Sequence, residues 1–295
     1  MSVTEFGASP ARLLEIALGA AREAGDLLVS ADGRVEVAAT KSSPTDVVTE
    51  MDRRSEELIV SRILAQRPGD GIVAEEGGEI RPGTGAGGAG ASGDTVRWVI
   101  DPLDGTTNYL YGLPDWAVSI AAEAAGRIVA GVVHLPRRGE TFTATLGGGA
   151  WLTDGRPTEG PGAAPGAAAP VPLQAGPGVP LAKALVATGF GYFAERRKVQ
   201  GEVVAALLPR VRDIRRGGSA SVDLCSVAAG RVDAYYERGL NYWDYAAGAL
   251  IATEAGAVVA GLSGPPSGSM TIAAAPSLFV ELSAVLAALR PERDD

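Results

Sequence analysis

The chain has 295 residues, enough for one large domain or two moderate ones around a substantial core. Its formal net charge of −9 excludes sequence-independent nucleic-acid binding, which needs a basic face. A single cysteine, Cys225, excludes an internal disulfide framework and a cysteine-rich metal site. The N-terminus has no basic start followed by an apolar run, so no signal peptide is expected. The most apolar tract, Ser119 to Leu135, is broken by Glu123 and Arg127 and reads as no membrane span. A soluble cytoplasmic protein is the resulting expectation.

In chain order, residues 11–31 read as a helix with Leu14, Ala17, Leu18, Ala21, Ala24 and Leu28 on one stripe. Arg34 to Ala39 alternates weakly, as a strand or extended arm, and Lys41 to Pro44 is a loop. A second helix starts at Thr49, where Thr49 and Asp52 form a capping box, and stops at Arg67-Pro68-Gly69. Gly71 to Ala74 is a short strand with Glu75 and Glu76 directly after it. Residues 81–94 are glycine-rich; Gly85, Gly87 and Gly90 have dinucleotide-fingerprint spacing but lack the flanking strand and helix, so they read as a surface insertion.

Trp98-Val99-Ile100 is a buried-strand signal that runs into Asp101-Pro102-Leu103-Asp104-Gly105. Thr106, Thr107 and Asn108 are residue types that start helices. Antiparallel strands then follow at Trp116 to Ala121, Arg127 to His134, Thr141 to Thr145 and Ala150 to Leu152. Residues 159–180 are almost wholly Gly, Ala and Pro and mark the best boundary. The expected organisation is an N-terminal α+β subdomain over 1–155, a loop over 156–180 and a C-terminal α/β subdomain over 181–295. In the last, strands at 184–188, 211–214, 232–237, 258–259 and 271–273 alternate with helices at 197–208, 221–229, 244–255 and 276–289. That alternation implies a partly parallel sheet.

The ionisable residues restrict the chemistry. His134 sits within a strand-like run and reads as a packed residue rather than a phosphate carrier. Cys225 and Arg231 have cysteine-phosphatase spacing, but the residues between them are apolar and helical, so Cys225 reads as a small buried hydrophobe. Carboxylates remain: Asp46, Asp52, Glu75, Glu76, Asp101, Asp104, Glu237 and Asp244. Several follow strands directly, where separate segments can converge. Gathering them is unfavourable unless protons or cations offset the repulsion. Magnesium, which takes oxygen ligands, is the natural partner, and paired ions can hold a phosphate and activate water.

Those carboxylates lie in motifs that carry a resemblance. Asp101-Pro102-Leu103-Asp104-Gly105-Thr106-Thr107-Asn108 and Asn241-Tyr242-Trp243-Asp244-Tyr245-Ala246-Ala247-Gly248 resemble those of the inositol monophosphatases. So do Ala74-Glu75-Glu76-Gly77, Thr45 to Asp52, and Val232 to Glu237, in register over residues 11–275. The family lies within the lithium-sensitive, magnesium-dependent phosphatase superfamily.

The resemblance implies a layered α-β-α-β-α sandwich, as in the inositol monophosphatases and fructose bisphosphatases. It implies two to three magnesium ions held by Glu75, Asp101, the Leu103 carbonyl, Asp104 and Asp244, with Asp101 bridging. Thr106, hydrogen-bonded to Asp52, would orient the attacking water, with Glu75 also in the catalytic set. The Gly105 and Thr106 amides and Asp104 would meet the substrate, Glu237 the ring hydroxyls, and Gly218, Ser219 and Ala220 the same pocket. Ser219 stands where many relatives carry threonine, a change of little consequence if its backbone does the binding. Asp46 is left as loop support and Glu76 as a solvated neighbour. The implied substrate is a small phosphorylated polyol, inositol 1-phosphate first, and the implied assembly a homodimer. Competing readings keep the chemistry on a 3′(2′),5′-bisphosphate nucleotide, fructose 1,6-bisphosphate or histidinol phosphate, or make the protein a non-catalytic binder on this fold.

Overall fold

The computed structural model describes residues 8–31, 37–40, 47–80, 96–154 and 169–293. The Lys41 to Pro44 loop, Asp46, the 81–94 insertion and residues 159–168 lie outside these. The chain opens with α1 (Pro10–Ala31), an antiparallel pair β1 (Val37–Thr40) and β2 (Val47–Thr49), and α2 (Glu50–Gln66). The Thr49–Asp52 capping box is present: the Thr49 hydroxyl accepts the Asp52 amide while the Asp52 carboxylate accepts the Thr49 amide.

Then come β3 (Gly71–Ala74), β4 (Gly78–Ile80), β5 (Arg97–Asp104) and a five-residue α3 (Thr106–Leu110). The strands β6 (Ala117–Ala124), β7 (Arg127–Leu135), β8 (Glu140–Thr145), β9 (Ala150–Asp154) and β10 (Val171–Pro172) complete an eight-stranded sheet. Its order is β10-β9-β8-β7-β6-β5-β3-β4. The expected antiparallel pairing holds except at its functional edge, where β3 and β5 run parallel. β4 turns back antiparallel along the outer edge of β3, and β5 runs parallel to β3 on its other side. The register pairs Ala74 with Ile100. Glu75 and Asp101 therefore follow the last β3–β5 pair on neighbouring strands, at the same end of that pairing.

The second half contributes β11 (Leu185–Thr188), α4 (Ala194–Leu207), β12 (Asp213–Arg215), α5 (Ala220–Ala228), β13 (Ala234–Glu237) and α6 (Tyr242–Glu254). It ends with β14 (Val258–Ala260), β15 (Thr271–Ala274) and α7 (Pro276–Leu289). The five-stranded sheet β12-β11-β13-β15-β14 is parallel on one side of β13 and antiparallel on the other. This is the mixed sheet that the alternating pattern implied.

Three hydrophobic clusters join five layers, the second spanning both faces of the middle helices. Leu13, Ile16, Leu28 and Ile59 of α1 and α2 pack on Ile72, Trp98 and Ile120 of the first sheet. On its other face Val99, Val133 and Phe142 meet Leu224, Cys225, Ala247 and Ile251 of α5 and α6, with Tyr235 and Ala273 from the second sheet. Val186, Tyr236 and Ile272 then pack on Val203, Leu207, Leu278, Leu282 and Leu286 of α4 and α7. The layered α-β-α-β-α sandwich follows directly.

This layering corrects two local readings. The buried stripe of α1 is Leu13, Ile16, Ala17, Ala20, Ala21, Ala24 and Leu28, while Leu14 and Leu18 are only partly covered, because α1 packs on both α2 and the sheet. β6 and β7 do not alternate between buried and exposed residues, since helices cover both faces of the sheet. Small residues permit the closeness: a Cβ on Gly131 would lie 3.2 Å from the Ala247 Cα of α6. Cys225 is fully buried, and burial pushes its thiol well up. Arg231 instead makes a two-bond pair with Glu140, at 2.7 and 2.8 Å, so the Cys225–Arg231 spacing forms no anion loop.

His134 packs on β7 as expected, its Nδ1 2.9 Å from Thr141 Oγ1. α1 crosses it so closely that a Cβ on Gly25 would lie 2.7 Å from its Cδ2. Burial, with the Arg22 charge, lowers its pKa from 6.5 to about 4. The unfolded chain therefore takes up this proton first. The associated stability is whole above about pH 6.5 and is lost as pH falls toward 4, by up to about 3 kcal/mol. Urea unfolding at pH 7 and 4.5 should show a smaller acid loss for His134→Gln than for the parent chain. An equal loss would mean the ring is protonated within the fold.

Candidate active site

The strand β5 does not stop before its acids, as its sequence implied, but continues through Pro102 to Asp104. Its pairing with β6 is irregular between Asp101 and Asp104, which re-aims the two carboxylates at the sheet end. Gly105 follows with φ +95°, and a Cβ there would crowd the Asp115 carbonyl at 3.0 Å. Glycine is required at this position. Gly105, not a threonine or asparagine, is the N-cap of α3, with no side-chain cap.

The Thr106 hydroxyl is consequently used elsewhere. It lies 3.0 Å from Asp52 Oδ1 and 3.2 Å from the Leu103 carbonyl. Asp52 is fully buried, and its other oxygen accepts the Thr49 amide at 2.8 Å and the Thr49 hydroxyl at 2.5 Å. One carboxylate thus caps α2 and orients Thr106.

The remaining acids meet around this floor. The Asp101 and Glu75 carboxyl groups are within hydrogen-bonding reach of each other. Burial, then the charges of Glu75, Asp104 and Asp244, holds the Asp101 carboxyl well above the usual carboxylate range. Asp244 is likewise held well up, by burial and then by Glu75 and Asp104. It is the third residue of α6, where its Oδ2 accepts the Asn241 amide at 2.6 Å in a capping box.

Asp104 is also raised by burial, against the pull of its hydrogen bonds. Its Oδ2 accepts the Ser219 hydroxyl at 2.6 Å, the Ser221 amide at 2.8 Å and the Ser221 hydroxyl at 2.5 Å. The Ser219 hydroxyl thus holds Asp104, a bond that the hydroxyl of a threonine also offers. In the sequence, Ser221 reads only as the start of a helix, with no part in the site. Among the described residues no three His, Cys, Asp or Glu side chains already surround a common point as metal ligands do. Glu76 is half-buried rather than solvated, with Oε1 shielded from water.

The floor opens into a cleft of about 370 Å³. Glu75, Asp101, Leu103, Asp104, Gly105, Thr106 and Asp244 line one part of it, and Gly218, Ser219, Ala220 and Glu237 another. All the sequence-designated site residues therefore line this cleft except Asp52, which lies behind Thr106. Glu237 Oε2 accepts the Tyr235 hydroxyl at 2.8 Å. Burial raises its carboxyl to about 7, while that hydrogen bond and the Arg216 charge oppose the rise. A Cβ on Gly189 would strike this carboxylate, so the glycine is what gives Glu237 room.

A rim of Phe190, Gly191, Tyr192, Phe193 and Arg196, unmarked in the sequence, lines the cleft together with Arg216. The Arg196 guanidinium stacks 5.8 Å from the Phe193 ring, and Arg216 lies 6.0 Å from that of Phe190. Gly191 and Gly239 leave the space that Arg196 fills, 2.9 and 2.5 Å from where a Cβ would be. The available signal was aromatic residues interleaved with glycines after a strand, which reads equally as a connection. Asn108 was missed too. Its amide donates to the carbonyls of Asp115 at 2.5 Å and Gly217 at 2.9 Å, tying α3 to the opposite wall.

A family model described as the inositol monophosphatase family matches residues 9–292. An inositol-1-monophosphatase of Mycobacterium bovis is 44% identical over 291 residues, covering 94% of each chain. A protein of Escherichia coli K12 named Nus factor SuhB is 38% identical over 288 residues, covering 96% of this chain and 97% of the relative. The solved structure of Mycobacterium tuberculosis SuhB superposes with a TM-score of 0.77 at 39% identity, covering 97% of this chain and 99% of that one.

Proposed function

The chain belongs to the inositol monophosphatase family, and from that membership and its cleft we propose that it is a magnesium-dependent hydrolase of inositol 1-phosphate. Family membership supports a phosphatase acting on a phosphorylated small molecule. The observation that carries the finer reading is the joining of Asp101, Glu75, Asp104 and Asp244 beside a Thr106 held by Asp52.

The donor set fits a hard divalent cation. It is all oxygen, with Asp101 buried and Glu75, Asp104 and Asp244 half-buried around it, and its carboxylates cannot ionise together without a compensating charge. Glu75, Asp101, the Leu103 carbonyl, Asp104 and Asp244 would hold two to three ions. Bound magnesium supplies Lewis acidity toward phosphoryl oxygens and lowers the pKa of water.

The chain's own residues do the rest. The Gly105 and Thr106 amides open the first turn of α3, so helix geometry gives them no carbonyl partner and suits them to phosphate oxygens. Asp52 Oδ1 accepts the hydrogen bond of the Thr106 hydroxyl, which leaves the lone pairs of Thr106 Oγ1 to accept a hydrogen bond from the attacking water. That hydrogen bond points the water's oxygen toward phosphorus. On the opposite wall the ionised Glu237 accepts ring hydroxyls, and its hydrogen bond from Tyr235 fixes the carboxylate plane.

Because Glu237 titrates near 7, its accepting form is lost as pH falls. KM should rise about tenfold from pH 8 to pH 6, and Glu237→Gln should flatten that limb. A pH-independent KM in the parent chain would remove Glu237 from substrate binding. The substrate itself is tested by turnover of inositol 1-phosphate, adenosine 3′,5′-bisphosphate, fructose 1,6-bisphosphate and histidinol phosphate, with magnesium and with chelator. The inositol ester should have the highest kcat/KM, and chelation should abolish it; a preference for the nucleotide overturns the choice. The name Nus factor SuhB of the Escherichia coli relative raises a second reading, a binding role without hydrolysis. Magnesium-dependent turnover in this panel would count against it.

A further inference from the structure

The helix α2 meets the carboxylate floor with three side chains of one face. Asp52, Ser55 and Glu56 stand at helical spacing i, i+3 and i+4, and are 0%, 0% and 7% exposed. Burying a serine and a glutamate is unfavourable unless each makes its hydrogen bonds. Each makes them to a different segment of the floor. The Ser55 hydroxyl donates to the Pro102 carbonyl at 2.9 Å, between Asp101 and Leu103. Glu56 Oε2 accepts the Glu76 amide at 2.8 Å, directly after Glu75. Gly77 completes that turn, and a Cβ there would lie 2.7 Å from Glu56 Oε1. Asp52 holds Thr106.

These bonds begin where the β3–β5 pairing stops. The β3–β5 ladder ends at the Ala74–Ile100 pair, so the next residues, Glu75 and Asp101, lie beyond its last rung. Asp101 still pairs with Ser119 of β6, but no rung joins its backbone to that of Glu75, and two carboxylates within reach of each other repel. Both segments are instead fastened to one 17-residue helix.

We infer that Ser55 and Glu56 are positioning residues that fix the Glu75 and Asp101 backbones relative to each other and thereby set the floor's affinity for a divalent cation. This rests on the reading of the floor as a cation site. The anchors act through neighbouring peptide groups and touch neither substrate nor cation.

The test is Mn²⁺ binding to the full chain without substrate, followed by electron paramagnetic resonance. Ser55→Ala and Glu56→Ala should weaken Mn²⁺ binding about 10- to 100-fold, the range for groups that orient metal ligands. Glu56→Gln should stay within about threefold of the parent chain, because its amide oxygen still accepts the Glu76 N–H. A role confined to stability would lower the unfolding temperature in chelator and leave Mn²⁺ affinity unchanged. That result in folded Ser55→Ala or Glu56→Ala overturns the inference. So does a Glu56→Gln loss as large as that of Glu56→Ala, which would make the charge, not the hydrogen bond, responsible. Ser55→Ala, a one-atom deletion, keeps the test readable if Glu56→Ala does not fold. Failure of the parent chain to bind Mn²⁺ would instead sink the cation site itself.

Discussion

Asp101→Asn is expected to cut phosphate release at least about 10³-fold while making the chelated protein harder to unfold. The first effect is the loss of several kcal/mol of cation-mediated stabilisation when the shared carboxylate becomes an amide. The second follows from the site's electrostatics. Asp101 is 2% exposed, and Glu75, Asp104 and Asp244 all raise its pKa. A folded pKa above the unfolded one means that the fold retains protons the unfolded chain releases. Without cation, the contribution of this carboxyl to stability is thus whole below the ordinary carboxylate value and is lost as pH rises above it.

Asparagine keeps the acceptor that Leu103 N–H reaches at 3.1 Å but removes the charge. The gain should be on the order of 1–2 kcal/mol at pH 8 in chelator, with a shallower pH slope. Urea unfolding in chelator from pH 5 to 8, beside phosphate-release assays, measures both halves. Retained turnover would remove Asp101 from the chemistry. An unchanged slope would show that the acids do not repel as their burial implies.

Thr106→Val should lower kcat about 10²- to 10⁴-fold with little change in KM. Valine keeps the shape of threonine and removes the one atom through which Asp52 could orient water. Asp52 still caps α2 through Oδ2, so the unfolding free energy should fall by no more than about 1–3 kcal/mol, the cost of depriving its Oδ1 of a donor. Asp52→Asn separates the two roles of that residue. Thr49 N–H, Thr49 O–H and Thr106 O–H are all donors, whereas asparagine offers one accepting oxygen in place of two. Its kcat should fall as far as that of Thr106→Val, and its stability further, by the additional loss of the helix cap. Steady-state kinetics with thermal unfolding decide the matter. A Thr106→Val kcat within threefold of the parent chain would reduce Thr106 to a turn residue.

Local patterns carried much of this protein. The strand at Gly71–Ala74, the helix at Pro276–Leu289 and the Thr49–Asp52 box match the structure because each depends on neighbours a few residues away. The family motifs likewise marked every acid that lines the cleft, since motif register is itself a property of the sequence. The boundary of β5 was misjudged because Pro102 and two acids look like a turn, yet the ladder to β6 resumes at Asp104.

What the sequence determined by itself is which carboxylates line the cleft and most of the helices and strands that bear them. What only the tertiary structure decided is how those groups are held. The parallel β3–β5 pair sends Glu75 and Asp101 out together. Asp52 reaches Thr106 across 54 residues, and Ser221 reaches Asp104 across 117. The Phe190 to Arg196 rim becomes a cleft wall only when it faces that floor. Such contacts leave no spacing signature, because the packing of whole layers, not the local helix or strand period, brings their partners together.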